Sequence, residues 1–263
     1  MKIFIITMDD PVQTKRFISK IIEARKDDIV GLAISKGDRL TIQKNKSKYE
    51  YILSLLLIMG LYNFFNNSLI TITHKIKKKL HLHFPSIFKD PTIKRIAEVN
   101  GINTWQIKTP NSKQFLEEIR KLEIDVIINQ SQNILKTELL SIPKIGIINR
   151  HNALLPKNRG RLTPFWVLYK GDKETGVSIH FVTEELDAGE IIVQKCYPIT
   201  KYDDFNTIVK KNYELAPVAM LEALEKLENG EKDYIPNPKE LATYNTTPEM
   251  KEAWQYRKRR IFK

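Results

Sequence analysis

Short apolar runs alternate with amphipathic segments over much of the chain. Residues 2–8 form an apolar run typical of a buried strand, and residues 11–24 carry apolar side chains at helical spacing. Residues 29–34 form a second apolar run of strand length. A strand, a helix and a strand in this order predict a parallel βαβ unit.

The same alternation resumes after residue 91. It predicts helices over 92–100, 112–121 and 135–140 and extended segments over 104–107, 125–129 and 146–149. Strands that alternate with helices build parallel sheets covered on both sides. We therefore predict an α/β fold with an open, mostly parallel, Rossmann-like sheet that has helices on both faces.

A helical insertion at about residues 49–90 interrupts the alternation. Residues 51–73 carry no charged side chain, a length that raises the question of a transmembrane span. Polar residues at 63 and 66–68 interrupt the run, and Gly60 weakens a helix. A pair of helices that is buried or lies in an interface is therefore favoured over a span. The lysine-rich segment 75–79 would suit an anionic membrane surface, or it is the solvated end of a core helix.

The last part of the chain is predicted to be mainly helical. Residues 203–229 form one long helix that Pro217 breaks or kinks, and Gly230 is a suitable stop. A further helix is predicted near residues 249–257. We expect one domain over residues 1–235, which includes the insertion, and a short C-terminal extension over 236–263 that is too small for an independent domain.

Composition narrows the setting of the protein only slightly. The 263 residues carry a net charge of +12, which favours an anionic partner such as a nucleotide, a nucleic acid or an acidic membrane surface. The single cysteine, Cys196, cannot form an internal disulfide and is expected to be packed in the apolar stretch around it. The N-terminal sequence lacks the pattern of a signal peptide, so a reducing cytoplasm is the expected location.

Two common nucleotide-binding motifs and a metal site are disfavoured. No GxGxxG motif follows the first predicted strand and no GxxxxGK[ST] motif is present, which argues against nicotinamide and P-loop chemistry. His81 and His83 have no further ligand nearby, so a solvated pair is favoured over a metal site. We predict that the protein needs no metal.

The segment INRHNALLP carries the first candidate chemistry. Asn149 and His151 lie where the strand predicted over 146–149 ends, the edge at which open α/β sheets bind ligands. An amide can donate to an oxyanion, and an imidazole can donate or take a proton, so the pair suits acyl transfer. Asp187, in the turn-like ELDAGE, could support the imidazole. Taken singly, each residue could instead be structural, as a turn cap, a buried histidine or a turn residue.

Six short motifs extend this pattern in order. They are Asn149-Arg150-His151, Leu154-Leu155-Pro156, Arg159-Gly160, Pro164-Phe165-Trp166, Thr175-Gly176-Val177 and Leu186-Asp187-Ala188-Gly189-Glu190. In order and spacing they resemble the formyltransferases that use 10-formyltetrahydrofolate, which include glycinamide ribonucleotide, methionyl-tRNA and sugar N-formyltransferases. The resemblance is strong over about residues 125–199 and weak in the first strands, and the insertion and tail lie outside it.

The resemblance implies roles for particular residues. Asn149 and His151 would stabilise the oxyanion formed when an amine attacks the formyl carbon, and Asp187 would orient His151 and bind an ordered water. The loops that hold the folate donor would comprise Ser131, Ile134, Leu135, Val182, Thr183, Glu184, Glu185 and Leu186. Asn152 and Ala153 replace a proline and a serine of the family, and residues 130–133 replace a glycine-containing stretch.

The acceptor expected from the sequence is a small primary amine, most of all an amino sugar on a nucleotide or lipid carrier. Methionyl-tRNA is the alternative, but the short tail after Gly230 counts against it, and nucleic acid is an unexpected partner. A glycinamide ribonucleotide enzyme, a formyltetrahydrofolate hydrolase and a non-catalytic folate-binding protein also stay open. A homodimer and a peripheral location at an anionic membrane are further expectations.

Overall fold

The structure is a computed structural model that describes residues 1–36, 47–87, 90 and 92–261. A mostly parallel seven-stranded sheet in the order β3-β2-β1-β4-β5-β7-β8 forms its centre, and β6 pairs with β9 in a separate two-stranded sheet. The strands are β1 (Ile3–Thr7), β2 (Ile29–Ser35), β3 (Thr104–Ile107), β4 (Val126–Asn129), β5 (Gly146–His151), β6 (Arg159–Gly160), β7 (Glu174–Phe181), β8 (Ile191–Pro198) and β9 (Tyr244–Asn245).

Helices cover both faces of the sheet. They are α1 (Thr14–Arg25), α2 (Lys48–Met59), α3 (Leu61–His83), α4 (Ile93–Val99), α5 (Lys113–Arg120), α6 (Thr137–Leu140), α7 (Thr163–Lys170), α8 (Phe205–Glu228) and α9 (Met250–Ile261). One core cluster joins the sheet to α1, α4 and α8, and another joins it to α5 and α6. The predicted α/β class and Rossmann-like sheet are therefore confirmed.

The sheet forms where the sequence carries short runs of branched apolar residues. All five residues of β1 are buried, as expected for a central strand with helices on both sides. β5 is longer than predicted because it pairs antiparallel with β7 as far as His151 and Ser178. The strand itself therefore fixes the backbone of both Asn149 and His151.

The insertion folds as two helices, as predicted. Gly60 joins α2 to α3 with a φ of 79°, a conformation that favours glycine. Among the described residues, no helix has the length and apolar character needed to cross a bilayer. Residues 88 and 89 of the insertion predicted at about 49–90 lie outside the described part of the chain.

The C-terminal extension packs onto the rest of the protein. β9 pairs with β6, and α9 contributes Ala253 and Tyr256 to an apolar cluster with Ile58 of α2 and Phe165 of α7. Two details of the sequence prediction are wrong. Pro217 does not break α8, which is continuous through it, so of the two predicted effects only a kink stays open, and Cys196 is exposed because its side chain lies on the outer part of the edge strand β8.

Candidate active site

Asn149 and His151 lie at the carboxyl end of β5, in the middle of the sheet. The Cα of Asn149 is in register with Asn129 of the parallel strand β4 and with His180 of the antiparallel strand β7. The carboxyl ends of β4 and β5 supply Asn129, Asn149 and His151 at one edge of the sheet, and the neighbouring strand β7 adds His180 beside them. Open α/β sheets bind their ligands at this edge.

A hydrogen-bond relay fixes the orientation of the Asn149 amide. The Gln130 Nε2 donates to the Asn149 Oδ1 at 3.1 Å, and the Arg150 Nε donates to the Gln130 Oε1 at 3.0 Å. Because the guanidinium can only donate, it settles which end of the Gln130 amide is the oxygen. The Asn149 NH2 group is then left to donate to a ligand. Sequence reasoning missed Gln130 and Arg150 as members of the site.

Arg150 is itself held rigidly. Its Nη1 donates to the Asn152 Oδ1 at 2.7 Å, its Nη2 donates to the Tyr213 hydroxyl at 3.0 Å, and its guanidinium lies 4.1 Å from the Tyr213 ring centre. Asn152, which departs from the resembled motif, thus takes part in orienting Arg150. Arg150, the first residue of the hydrogen-bond relay that ends at Asn149, is therefore held in one orientation.

His151 is buried, with 5% of its surface exposed, and both ring nitrogens face oxygen atoms. Its Nε2 lies 2.8 Å from the Asn158 carbonyl oxygen, and its Nδ1 lies 3.4 Å from the Asp187 Oδ2. A carbonyl oxygen only accepts, so Nε2 carries a hydrogen. The proton that His151 can gain or lose is therefore the one on Nδ1, the atom beside Asp187.

Asp187 occupies a tightly built loop. Its φ is 50°, which is uncommon for a residue with a Cβ and has to be held by its surroundings. The Gly160 backbone N–H donates to the Asp187 Oδ2 at 2.8 Å, and the Asn237 Nδ2 donates to the carbonyl oxygens of Asp187 and Gly189. A Cβ on Gly189 would lie 2.1 Å from the Phe181 carbonyl oxygen, so only glycine fits there.

His180 is a further member of the site that sequence reasoning missed. Its Nδ1 donates to the Phe181 carbonyl oxygen at 2.7 Å, so Nε2 is the unprotonated atom, 3.7 Å from the Asp187 Oδ1. Burial lowers the pKa of His180 to about 4, although Asp187 acts in the opposite direction. The Asp187 carboxylate thus lies between two imidazoles. The only signal in the sequence was a histidine in the apolar strand that precedes Asp187.

One cleft of about 1880 Å³ contains this group. Its volume exceeds the 300–1,000 Å³ that is usual for one small ligand, which leaves room for two substrates. All eleven residues predicted for catalysis and donor binding line this cleft. The donor-side residues are Ser131, Ile134, Leu135, Val182, Thr183, Glu184, Glu185 and Leu186. Their individual roles stay predictions.

The donor side offers features that fit a flat heterocycle with N–H groups. Ile134 and Leu186 are 84% and 60% exposed, so two apolar side chains stand unburied at the cleft. The Gln132 Oε1 is buried and has no hydrogen-bond partner among the described residues. A pterin ring can supply both the apolar face and the donor that these groups lack. The Thr137 hydroxyl donates to the Glu184 carboxylate at 2.6 Å and ties the two donor loops together.

The cleft is also lined by the β1–α1 loop and the polar face of α3. The Lys78 Nζ lies 3.0 Å and the His74 Nε2 lies 3.6 Å from the Asp9 Oδ2. Arg161 also lines the cleft, and burial lowers its pKa. No carboxylate pairs with Arg161 among the described residues. A cation in this position suits an anionic group on the second substrate.

Comparisons with known proteins identify the family of this chain. Residues 71–224 match the family model described as formyl transferase. Methionyl-tRNA formyltransferase of Thermotoga neapolitana is 40% identical over 140 residues, which are 53% of this chain and 45% of that protein. The chain thus spans about half the length of the curated relatives that it matches.

Solved structures show the same fold at low identity. Phosphoribosylglycinamide formyltransferase of Anaplasma phagocytophilum is 15% identical with a TM-score of 0.60, covering 93% of this chain and 98% of that one. WlaRD, a sugar 3N-formyltransferase crystallised in the presence of dTDP and 5-N-formyl-THF, is also 15% identical, with a TM-score of 0.56 and coverage of 94% and 69%.

Proposed function

Because this chain belongs to the formyl transferase family, we propose that it moves the formyl group of 10-formyltetrahydrofolate to a primary amine. The observation that carries this proposal is the convergence of Asn149, His151 and Asp187 in one cleft with the predicted donor loops. Composition and charge alone would fit many other activities.

The geometry supports a role for each group. The amine nitrogen attacks the formyl carbon, and negative charge develops on the formyl oxygen. The Asn149 NH2, held by the Gln130 relay, can donate to that oxygen, and such donors lower the barrier most when they are fixed beforehand. When His151 Nδ1 takes up the proton of the attacking amine, the imidazole adds a positive charge close by.

The proton has a defined route. The attacking amine must lose a proton, and N10 of the folate must gain one when its bond to the formyl carbon breaks. His151 Nδ1 and the Asp187 carboxylate, 3.4 Å apart, can hold that proton between the two events. The products are the N-formyl amine and tetrahydrofolate, so no oxidant or reductant is needed.

An amino sugar with a phosphate-bearing carrier is our first candidate acceptor. The support is local: Arg161 lines the cleft without a carboxylate partner among the described residues, and residues of α3 line the same cleft. A bounded cleft with a cation suits a small anionic substrate. WlaRD, which is similar in fold, is a sugar enzyme.

Methionyl-tRNA is the second candidate, and a specific observation favours it. The relatives that are 33–40% identical, from Thermotoga neapolitana and Fusobacterium nucleatum among others, are named methionyl-tRNA formyltransferase. Their names support tRNA more directly than any sequence relative supports a sugar. The short tail after Gly230 does not count against tRNA, because the chain spans only about half of those relatives. The net charge of +12 would also suit a polyanion.

A panel assay tests the proposal and separates the acceptors. 10-Formyltetrahydrofolate is incubated with amino-sugar nucleotides, glycinamide ribonucleotide or charged initiator tRNA, and tetrahydrofolate and the formylated product are both quantified. A sugar substrate would give a rate that changes little with salt, whereas tRNA would give a rate that falls steeply. Tetrahydrofolate release with formate as the only product would identify a hydrolase and refute transfer to an amine.

A further inference from the structure

The second helix of the insertion turns its apolar side outward. Leu61, Phe65, Leu69, Ile72 and Ile76 follow one another three or four residues apart, which places them on one stripe of α3. All five side chains are more than half exposed, and of the five only Ile72 also lines the cleft. A surface helix of a globular protein normally turns such a stripe toward the core. The stripe therefore has no partner among the described residues.

The polar side of α3 faces the protein instead. Asn67, Thr71, His74 and Lys78 line the cleft, and His74 is buried. The ion pair between Lys78 and Asp9 at 3.0 Å and the buried His74, whose Nε2 lies 3.6 Å from the same carboxylate, fix the helix in this rotation. The outward stripe is thus a built feature of the fold, since rotating α3 to bury it would break both pairs.

The base of the hairpin is firmly attached. Ile58, near the end of α2, is 2% exposed and packs in a cluster with Trp166 and Tyr256. The Asn206 Nδ2 donates to the Met59 carbonyl oxygen at 2.9 Å, one residue before the turn at Gly60. This anchoring holds α3 in place with the stripe exposed.

The charged residues around the stripe indicate which kind of surface would cover it. No aspartate or glutamate occurs between residues 51 and 89. Lys75, Lys77 and Lys79 are exposed and flank the C-terminal part of the stripe. A second copy of the chain would bring the same positive charge against them, whereas anionic headgroups would neutralise it. Lysine stems can lie along an apolar surface while their ammonium groups reach phosphate.

We propose that α3 docks this protein on an anionic lipid bilayer. The stripe lies at the boundary between headgroups and acyl chains, and the lysines contact lipid phosphates. The protein is then peripheral at the membrane. α3 also forms a wall of the cleft, so docking places the acceptor side of the cleft beside the headgroups. That last consequence, access to a lipid-linked amine, rests on the formyl transfer proposed above.

Vesicle flotation of the full chain tests the docking. We expect recovery with vesicles that contain phosphatidylglycerol and little recovery with pure phosphatidylcholine. The double variant Leu69→Glu/Ile76→Glu, which leaves the cleft lining unchanged, should lower the vesicle-bound fraction at least about tenfold. The matched control Val99→Glu/Val218→Glu changes two side chains that are 60% and 56% exposed on α4 and α8, and it should bind as the wild type does.

The charge is tested with a second pair of variants. Lys77→Gln/Lys79→Gln should weaken binding to the phosphatidylglycerol vesicles and reduce its salt dependence, whereas Lys113→Gln/Lys121→Gln should not. Wild-type recovery that is equal on both kinds of vesicle, or unchanged by the Leu69→Glu/Ile76→Glu exchange, would overturn the proposal. So would a dimer in sedimentation that this exchange dissociates while vesicles bind nothing. Donor binding, measured without vesicles, reports separately on the proposed function.

Discussion

Changing Gln130 to glutamate should turn the Asn149 amide around. In the wild type, Gln130 donates to the Asn149 oxygen and accepts from Arg150. A carboxylate has the same shape but cannot donate, so it would accept from the Asn149 NH2 instead. The Asn149 oxygen would then face the developing oxyanion, and the donor would be lost.

The expected cost follows from that loss. Removing one oxyanion donor typically lowers kcat by about 100-fold to 1,000-fold, or about 2.7 to 4 kcal/mol. We expect Gln130→Glu to lower kcat by about 100-fold. The carboxylate still accepts from the Arg150 guanidinium but loses the Gln130 hydrogen bond to the Asn129 carbonyl oxygen at 2.7 Å, so thermal unfolding should show a folded variant with a midpoint below that of the wild type.

The assay is kcat at saturating donor and acceptor, measured for Gln130→Glu, Asn149→Ala and the double variant. If Gln130 acts through Asn149, the glutamate should have little further effect once Asn149 is alanine. An effect of the new negative charge itself would persist in both backgrounds. A Gln130→Glu enzyme within threefold of the wild type, or losses that simply add, would refute the relay as we describe it.

Three more predictions follow from the same site. Asn237→Ala removes two donors from the loop around Asp187 and should lower kcat by about tenfold with donor affinity unchanged, as titration of the donor would show. The pKa of His180 is about 4 in the folded protein, below its usual 6.5. The unfolded chain therefore binds a proton first, and the free energy of unfolding falls as the pH drops from 6.5 toward 4. His180→Gln should remove up to about 3 kcal/mol of this loss at pH 4, measured by urea unfolding against pH 7.5. Ile134→Glu and Leu186→Glu should each raise the Kd of the donor at least about tenfold while acceptor KM stays the same, and an equal effect on both substrates would contradict the donor assignment.

The strands and the three predicted site residues could be read from the sequence because their signals are local. Apolar runs of strand length are visible in any short window, and Asn149 and His151 stand two residues apart in one of them. Asp187 came from the ordered motifs, and the structure brings it within 3.4 Å of His151. The donor-loop residues came from the resemblance, and they line the same cleft.

The supporting residues could not be read in this way because their partners are distant along the chain. Gln130 meets Asn149 only because β4 and β5 are neighbours in the sheet. Asn237, expected to lie in a peripheral extension, reaches back 50 residues to the Asp187 loop. Neither contact leaves a pattern in the local sequence. The domain boundary at residue 235 stays a prediction, although the extension contributes contacts to the site.

The insertion also has a feature that its local sequence could not predict. Its uncharged run predicted a helix pair correctly, but the sequence did not say which side of α3 would face the protein. That choice depends on Asp9, which lies 65 residues before His74 and pairs with it. The cleft wall and the outward stripe are therefore properties of the fold.

The most direct test of the central claim is a single-turnover measurement with formyl-labelled 10-formyltetrahydrofolate and the acceptor found in the panel. We predict that the wild type moves the label to the amine, and that His151→Ala and Asn149→Ala bind the donor with wild-type affinity but transfer at least about 100-fold more slowly. Transfer by both variants at the wild-type rate would contradict the claim that this cleft performs formyl transfer through Asn149 and His151.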